Sequence, residues 1–425
     1  MFFERPDAGL RCVLLQVQFS SMPSYADDGE FHELAVSADL DPVCTITASR
    51  DKPHQRWFVG SGKVDEIKST LAASEADLLL VAHELGASQQ RNLEEKLGAR
   101  VMTRTELILH IFADRAQTHE GKLQVELAQL QHAQTRVVRG WTHLDRQKGG
   151  IGLRGAGEKQ IEMDHRMIAG RIKSVKGKLL RVAKRRQQGR RMRKRAGTHS
   201  VILVGYTNAG KSTLFNRLTD AQVLAQDRLF ATLDPTMRRL PLEGVGEVVL
   251  GDTVGFIRDL PHDLIEAFKA TLEEVAQADL LLHVIDAADP MADEQVEQVN
   301  LVLKEIGAEQ VPMIKVFNKA DLLPRQSQQI PDEENHPVSK NEIWVSAVDG
   351  TGIEGLLKLV SKKVSGEQTT KTVILEPGAA KTRAWLYGKG AVIGEKIGED
   401  GSFALTLRGG ERLYQQLENN GVVAP

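Results

Sequence analysis

Hydrophobic positions along this chain follow two periods. Residues 12–19 (CVLLQVQF) and 78–83 (LLLVAH) are apolar runs of strand length. Between and after them, residues 64–73 and 88–97 space their apolar side chains as helices do, and residues 100–103 read as another short strand. This rhythm predicts a small parallel α/β domain over residues 1–104.

The pattern changes over residues 105–197. Leu123, Leu127, Leu130, Gln134 and Val137 step by 4, 3, 4 and 3, and Ile161, Ile168, Ile172, Val175, Leu179 and Val182 step by 7, 4, 3, 4 and 3. Both are coiled-coil seams, which predicts an antiparallel helical hairpin. Its joining loop carries Gly149, Gly150, Gly152, Gly155 and Gly157, and its second helix ends in a basic run over residues 181–195 with no acidic residue.

From Ser200 strands and helices alternate again. Strands are expected at 201–204, 247–250, 280–285, 313–318 and 343–346, and a helix at 211–218. A doubly wound sheet over residues 198–366 is the expected fold. Residues 367–425 read as a small α+β appendage with strands at 381–387, 392–397 and 403–407 and a helix from Gly410.

Composition narrows the options. With 425 residues the chain is too long for one ordinary domain. Its formal net charge is -2, so any nucleic-acid contact must come from a local patch. The two cysteines, Cys12 and Cys44, form no CxxC pair and read as buried thiols of a reducing compartment. No apolar run reaches the ~18 residues of a membrane span. A cytoplasmic protein, monomeric when free, is the expectation.

The chemistry concentrates in four ordered motifs. Gly205-Tyr206-Thr207-Asn208-Ala209-Gly210-Lys211-Ser212 fits GxxxxGK[ST] between an expected strand and helix, and Thr213 follows. Its glycines allow a backbone nest for phosphate, Lys211 would reach the β- and γ-phosphates, and the Ser212 hydroxyl would bind Mg²⁺. Asp252-Thr253-Val254-Gly255 follows a strand; Asp252 can hold Mg²⁺ through water and the Gly255 amide can sense the γ-phosphate. In Asn318-Lys319-Ala320-Asp321, the Asp321 carboxylate can accept from guanine N1–H and its exocyclic amino group, a donor pair adenine lacks, while Lys319 lies along the base. Ser346-Ala347-Val348 would place a backbone amide near guanine O6. GTP or GDP is therefore the expected ligand.

A threonine before Asp252 should complete the metal site and act as a switch. In Phe230-Ala231-Thr232-Leu-Asp-Pro-Thr236 both Thr232 and Thr236 are candidates, and Thr232 is preferred. Lys211, Thr232 and Gly255 are the expected catalytic set, with Ser212 and Thr232 as metal ligands. Phe256 stands where many GTPases carry a water-orienting glutamine, which predicts slow basal hydrolysis until a partner orders the site. Asn208 is a candidate to hold a potassium ion beside the phosphates. Gly60, Gly62 and Lys63 form a weaker glycine-lysine signal that reads better as a structural turn.

These motifs resemble HflX, the ribosome-associated GTPases of the Obg-HflX superfamily. The likeness extends to residues 111–128 (IFADRAQTHEGKLQVELA), to the glycine-rich stretch 149–158 (GGIGLRGAGE) and to residues 58–63 (FVGSGK), covering about residues 10–366. The resemblance implies binding to the large ribosomal subunit and its rRNA, and splitting of stalled or idle ribosomes under stress when GTP is bound. It also implies an ATP-dependent RNA-remodelling activity in the N-terminal domain. The residues give RNA a physical place: Arg146, Lys148, Gly149, Gly150, Arg154, Gly155, Gly157 and Lys159 line the hairpin tip, and the basic run can neutralise phosphate. Two other readings are a GTP-gated assembly factor with negligible turnover and an ATP-driven RNA remodeller.

Overall fold

The computed structural model describes residues 9–20, 28–140, 156–195, 197–219, 228–258, 264, 268, 272–323, 341–365, 369–388, 390–398, 401–410, 413–414 and 417. Two compact units emerge. One comprises Met1–Lys184 with Gln226–Asp234 and Asp259–Ala270; the other comprises Arg185–Ala225, Pro235–Arg258 and Thr271–Pro425.

The first unit is built on a four-stranded, all-parallel sheet of order β2-β1-β3-β4. Its strands are β1 (Arg11–Phe19), β2 (Asp41–Arg50), β3 (Leu78–Val81) and β4 (Arg100–Thr103). Helices α1 (Asp28–Ser37), α2 (Ser61–Ala73) and α3 (Ala87–Leu97) make the crossovers. The continuous apolar character of β1 and β3 is that of strands covered on both faces. Sequence periodicity missed β2, whose exposed and half-buried residues alternate as an edge strand's do, with a bulge where it meets β1. Cys12 is fully buried, and burial pushes its thiol up to about 12. Cys44 is only half-buried, because it lies on that edge strand.

After β4 the chain becomes helical: α4 (Arg104–Arg115), α5 (His119–Gly140) and the 40-residue α6 (Ala156–Arg195). A reciprocal cap starts α4: the Thr103 hydroxyl accepts from Glu106 N at 3.4 Å, and the Glu106 carboxylate accepts from Thr103 N at 2.9 Å. In α5, Leu123, Leu127 and Leu130 are buried; in α6, Ile168 and Val175 are buried and Ile172, Leu179 and Val182 half-buried. Gln134 is half-buried as well, and the side chains of Val137 and Ile161 lie outside the described residues. Arg146, Lys148, Gly149, Gly150, Arg154 and Gly155 lie outside the described residues, while Gly157 and Lys159 fall in the first turn of α6.

The second unit carries a six-stranded sheet of order β10-β9-β8-β5-β7-β6. Its strands are β5 (Ser200–Gly205), β6 (Thr236–Leu242), β7 (Gly246–Asp252), β8 (Leu280–Asp286), β9 (Met313–Asn318) and β10 (Glu342–Trp344). All neighbours are parallel except β6 and β7. Helices α7 (Lys211–Thr219), α8 (Ala292–Glu305) and α9 (Ile353–Ser365) flank it. Val201, Leu203, Leu282, Val284, Ile314 and Val316 share a core with Leu356 and Val360 of α9. Pro241 sits in β6, an edge strand, where a missing N–H costs least.

A three-stranded antiparallel sheet of order β11-β13-β12 ends the fold, from β11 (Thr369–Leu375), β12 (Val392–Ile397) and β13 (Phe403–Gly409). The strand expected at 381–387 is instead helix α10 (Ala380–Gly388). Arg383 and Tyr387 lie four residues apart on one helical face and both reach the Glu395 carboxylate, while Leu386 turns into the core. That geometry needs a helical period. No described helix is long and apolar enough to cross a membrane.

Candidate functional site

The loop leaving β5 is shaped by residues that tolerate left-handed backbone. Gly205 has φ +149°, Asn208 +60° and Gly210 +88°. A Cβ at Gly205 would overlap the Val284 carbonyl oxygen of β8, and one at Gly210 would overlap Nδ2 of Asn318. Glycine is therefore demanded twice over, by backbone angle and by space. Such a succession turns consecutive N–H groups towards a concave, anion-binding surface at the start of α7. Asparagine is among the residues that best tolerate the left-handed region, so loop shape alone accounts for Asn208.

Lys211 opens α7 and is almost wholly buried, its Nζ donating to the Tyr206 carbonyl at 2.6 Å. Burial pulls its pKa down to about 8, with the Asp252 carboxylate pulling the other way. Ser212 Oγ donates to Asp252 Oδ2 at 2.7 Å, so a hydroxyl and a carboxylate, both hard oxygens, stand together at the ends of α7 and β7. Behind them Thr253 Oγ1 donates to the Leu203 carbonyl at 2.7 Å and fixes the turn after β7.

Gly255 packs directly on this loop. A Cβ there would lie 2.8 Å from Thr207 Cγ2 and 3.0 Å from Lys211 Nζ. Phe256 N donates to the Gly205 carbonyl at 3.1 Å, and its own carbonyl accepts from Thr207 N at 2.8 Å. The Phe256 ring is buried and has no hydrogen-bonding atom to present to water. Tyr206, the second loop residue, accepts from Arg258 N at 2.8 Å through its hydroxyl.

Asn318 links the two halves of the site. Its Nδ2 donates to the Ala209 carbonyl at 2.9 Å, and its Oδ1 accepts from Ala347 N at 3.0 Å. The loop after β5, the end of β9 and the loop after β10 are thus joined through one buried amide. Lys319 has φ +62° and its ammonium lies 2.7 Å from Asp286, a partner that motif reading did not single out. Asp321 is exposed in the short 3-10 turn Ala320–Leu322, Ser346 is buried, and Val348 is exposed. Gly205, Tyr206, Thr207, Asn208, Ala209, Gly210, Lys211, Ser212, Asp252, Gly255, Asn318 and Ala347 therefore form one constellation.

Two features were not legible in the motifs. His283 is a polar side chain buried among the equally buried apolar residues of β8, and its pKa falls to about 4 through burial and then through Lys315 and Lys211. Phe230, Ala231 and Thr232 belong to the first unit rather than the second. Within it Phe230 is buried at φ +57°, a conformation rarely adopted by aromatic residues.

The chain is similar to known proteins over most of its length. Family profiles described as GTP-binding GTPase N-terminal, GTP-binding GTPase middle region, 50S ribosome-binding GTPase and HflX C-terminal domain match residues 27–113, 115–193, 200–319 and 333–421. The GTPase HflX of Escherichia coli (strain K12) is 52% identical over 407 residues, covering 96% of this chain and 95% of that protein. The GTPase HflX of Magnetococcus marinus is 47% identical over 372 residues, covering 87% of this chain and 85% of that protein. A solved GTP-binding protein from the archaeon Sulfolobus solfataricus, in complex with GDP, is 23% identical and covers 84% of this chain and 99% of that one at a TM-score of 0.44. With its GTP-binding fold and identity sustained over nearly its whole length, the chain belongs to the HflX family of GTPases.

Proposed function

We propose that this GTPase acts on ribosomes: with GTP bound it engages the large ribosomal subunit and its rRNA and separates the subunits of stalled or idle ribosomes, and hydrolysis resets it. The observation that carries the reading is the match of residues 200–319 to a profile described as 50S ribosome-binding GTPase, together with the long basic helix α6 that precedes them in sequence. At 1.5 Å per residue α6 extends ~60 Å, long enough to carry a tip loop into a deep cleft. Arg181, Lys184, Arg185 and Arg191 are exposed on it and available to phosphate, whereas Arg190 is held by Glu274 at 2.8 Å and serves the fold. Arg146, Lys148, Gly149, Gly150, Arg154, Gly155, Gly157 and Lys159 are the proposed RNA contacts of the tip.

In the nucleotide site Lys211 meets the β- and γ-phosphates, the Gly255 amide meets the γ-phosphate, and Asn318, Lys319, Asp321 and Ser346–Val348 receive guanine. Ser212 and Thr232 would hold Mg²⁺, with Asp252 acting through water; the ion supplies charge neutralisation for the triphosphate. The adjacency of Ser212 and Asp252 fits such an ion. Potassium is not part of the proposal, since loop geometry accounts for Asn208. Phe256 offers no group to orient water, so basal hydrolysis is slow and ribosomes accelerate it.

The test is sucrose-gradient sedimentation of ribosomes with the full chain and a non-hydrolysable GTP analogue. Conversion of the intact-ribosome peak into separate subunits is the expected result. A persistent intact peak would overturn the splitting function.

A further inference from the structure

Residues 228–234 are held by the first unit on both sides of Thr232. On the N-terminal side Arg228 pairs with Asp39 at 2.6 Å, and Leu229 N donates to Ser37 Oγ of α1 at 3.0 Å. Phe230 is buried edge-on against Phe112 of α4, with ring centroids 4.7 Å apart and an interplanar angle of 89°. On the C-terminal side the Asp234 carboxylate accepts from Gln117 N at 2.9 Å and Thr118 N at 2.8 Å, and also from the Thr118 hydroxyl. Thr118 Oγ1 in turn accepts from Gly121 N at 2.9 Å, so Asp234 and Thr118 together cap the start of α5. A carboxylate is well placed there, where free N–H groups and the helix dipole favour negative charge. Gly121 makes the approach possible: a Cβ at that position would overlap the Asp234 carboxylate.

The same phenylalanine reaches a second segment. Phe268 packs edge-on against Phe112 at 5.1 Å and is buried, as is Leu264. Both residues belong to Asp259–Ala270, the stretch that follows Gly255 and Phe256 in sequence and is also part of the first unit. Phe112 therefore contacts the stretch carrying Thr232 and the stretch following Gly255.

We propose that Asp234, Gly121 and Phe112 are positioning residues for GTP hydrolysis: they fix the backbone two residues before and two residues after Thr232, and so set where the switch threonine stands. The proposal rests on the reading of Thr232 as that threonine. The left-handed Phe230 is the mark of a segment whose shape is imposed from outside, since isolated chain would relax it. A pre-formed segment need not be ordered when the substrate reacts, and that saving appears in the rate rather than in nucleotide affinity.

The experiment measures single-turnover GTP hydrolysis and GDP affinity for the full chain and for Thr232→Ala, Asp234→Ala, Gly121→Ala and the Asp234→Ala/Gly121→Ala double variant. Asp234→Ala and Gly121→Ala are each expected to slow hydrolysis ~10-fold. The double variant should be no slower than Asp234→Ala alone, because the added methyl acts through a carboxylate already removed. GDP affinity should stay within about twofold of the parent, showing that the nucleotide fold is intact. If Thr232→Ala slows hydrolysis while Asp234→Ala runs at the parental rate or faster, the positioning role is wrong and the reading of Thr232 stands. Additive losses in the double variant would also overturn it. If Thr232→Ala itself leaves the rate unchanged, the threonine reading fails and the proposal falls with it.

Discussion

Helices α7 and α2 both open on a glycine-lysine sequence, and the backbone that leads into each is shaped differently. At α7 the residues before the helix, Gly205, Asn208 and Gly210, all have positive φ, and Lys211 is buried with its pKa pulled down to about 8. At α2 the preceding Gly60 has an ordinary extended conformation, φ -72° and ψ 158°, and a Cβ at Gly62 would meet nothing within 4 Å. Lys63 is half-exposed and paired with Glu66 one turn along the same helix at 2.8 Å. Both stretches read as glycine plus lysine at a helix start. The difference lies in backbone handedness over several residues and in whether the lysine is buried and aimed at the loop. A nest requires the first, and the electrostatics of phosphate binding require the second.

Three perturbations sharpen this contrast. The largest effect is expected at Gly210. Gly210→Ala forces a side chain into a left-handed position and into the Asn318 amide, so GTP affinity measured by fluorescent-nucleotide titration should fall ~100-fold or more. The second is pH. Lys211 must be protonated to meet phosphate; its lowered pKa means the free protein loses that charge as pH rises through about 8. Bound phosphate restores the ordinary value, so binding takes up a proton above that pH. GTP affinity should then be flat below about pH 8 and fall by up to ~10-fold per pH unit above it. The smallest is the same glycine-to-alanine change at α2. Gly62→Ala meets open space in a helix and should raise the stability of the first unit by about 0.5–1 kcal/mol in urea unfolding, with GTP affinity unchanged.

The contrast also shows what a sequence makes visible. The cradle after β5 could be read because its glycines, lysine and hydroxyl have fixed spacing, and because Asp252 and Asn318 each close an apolar strand. Local rules were enough there. They failed for α10, since Arg383, Trp385 and Tyr387 alternate with smaller residues as a strand would, and only the pairing of Arg383 and Tyr387 with Glu395 reveals the helical face. They failed for β6, where Arg238 and Arg239 are exposed and only Leu240 and Leu242 turn inward. Nothing near Thr232 announced that its neighbours Phe230 and Asp234 are held by α4 and α5. Those contacts join residues separated by 116 or more positions in the chain, and the helix cap that receives Asp234 exists only in the folded unit.

On this reading GTP is held by the loop before α7, and the similar-looking start of α2 takes no part. Equilibrium titration of GTP against the full chain, Lys211→Ala and Lys63→Ala tests it most directly. Affinity should fall ~100-fold or more in Lys211→Ala and change within about twofold in Lys63→Ala. Undiminished GTP binding by Lys211→Ala, or a large loss in Lys63→Ala, would contradict it.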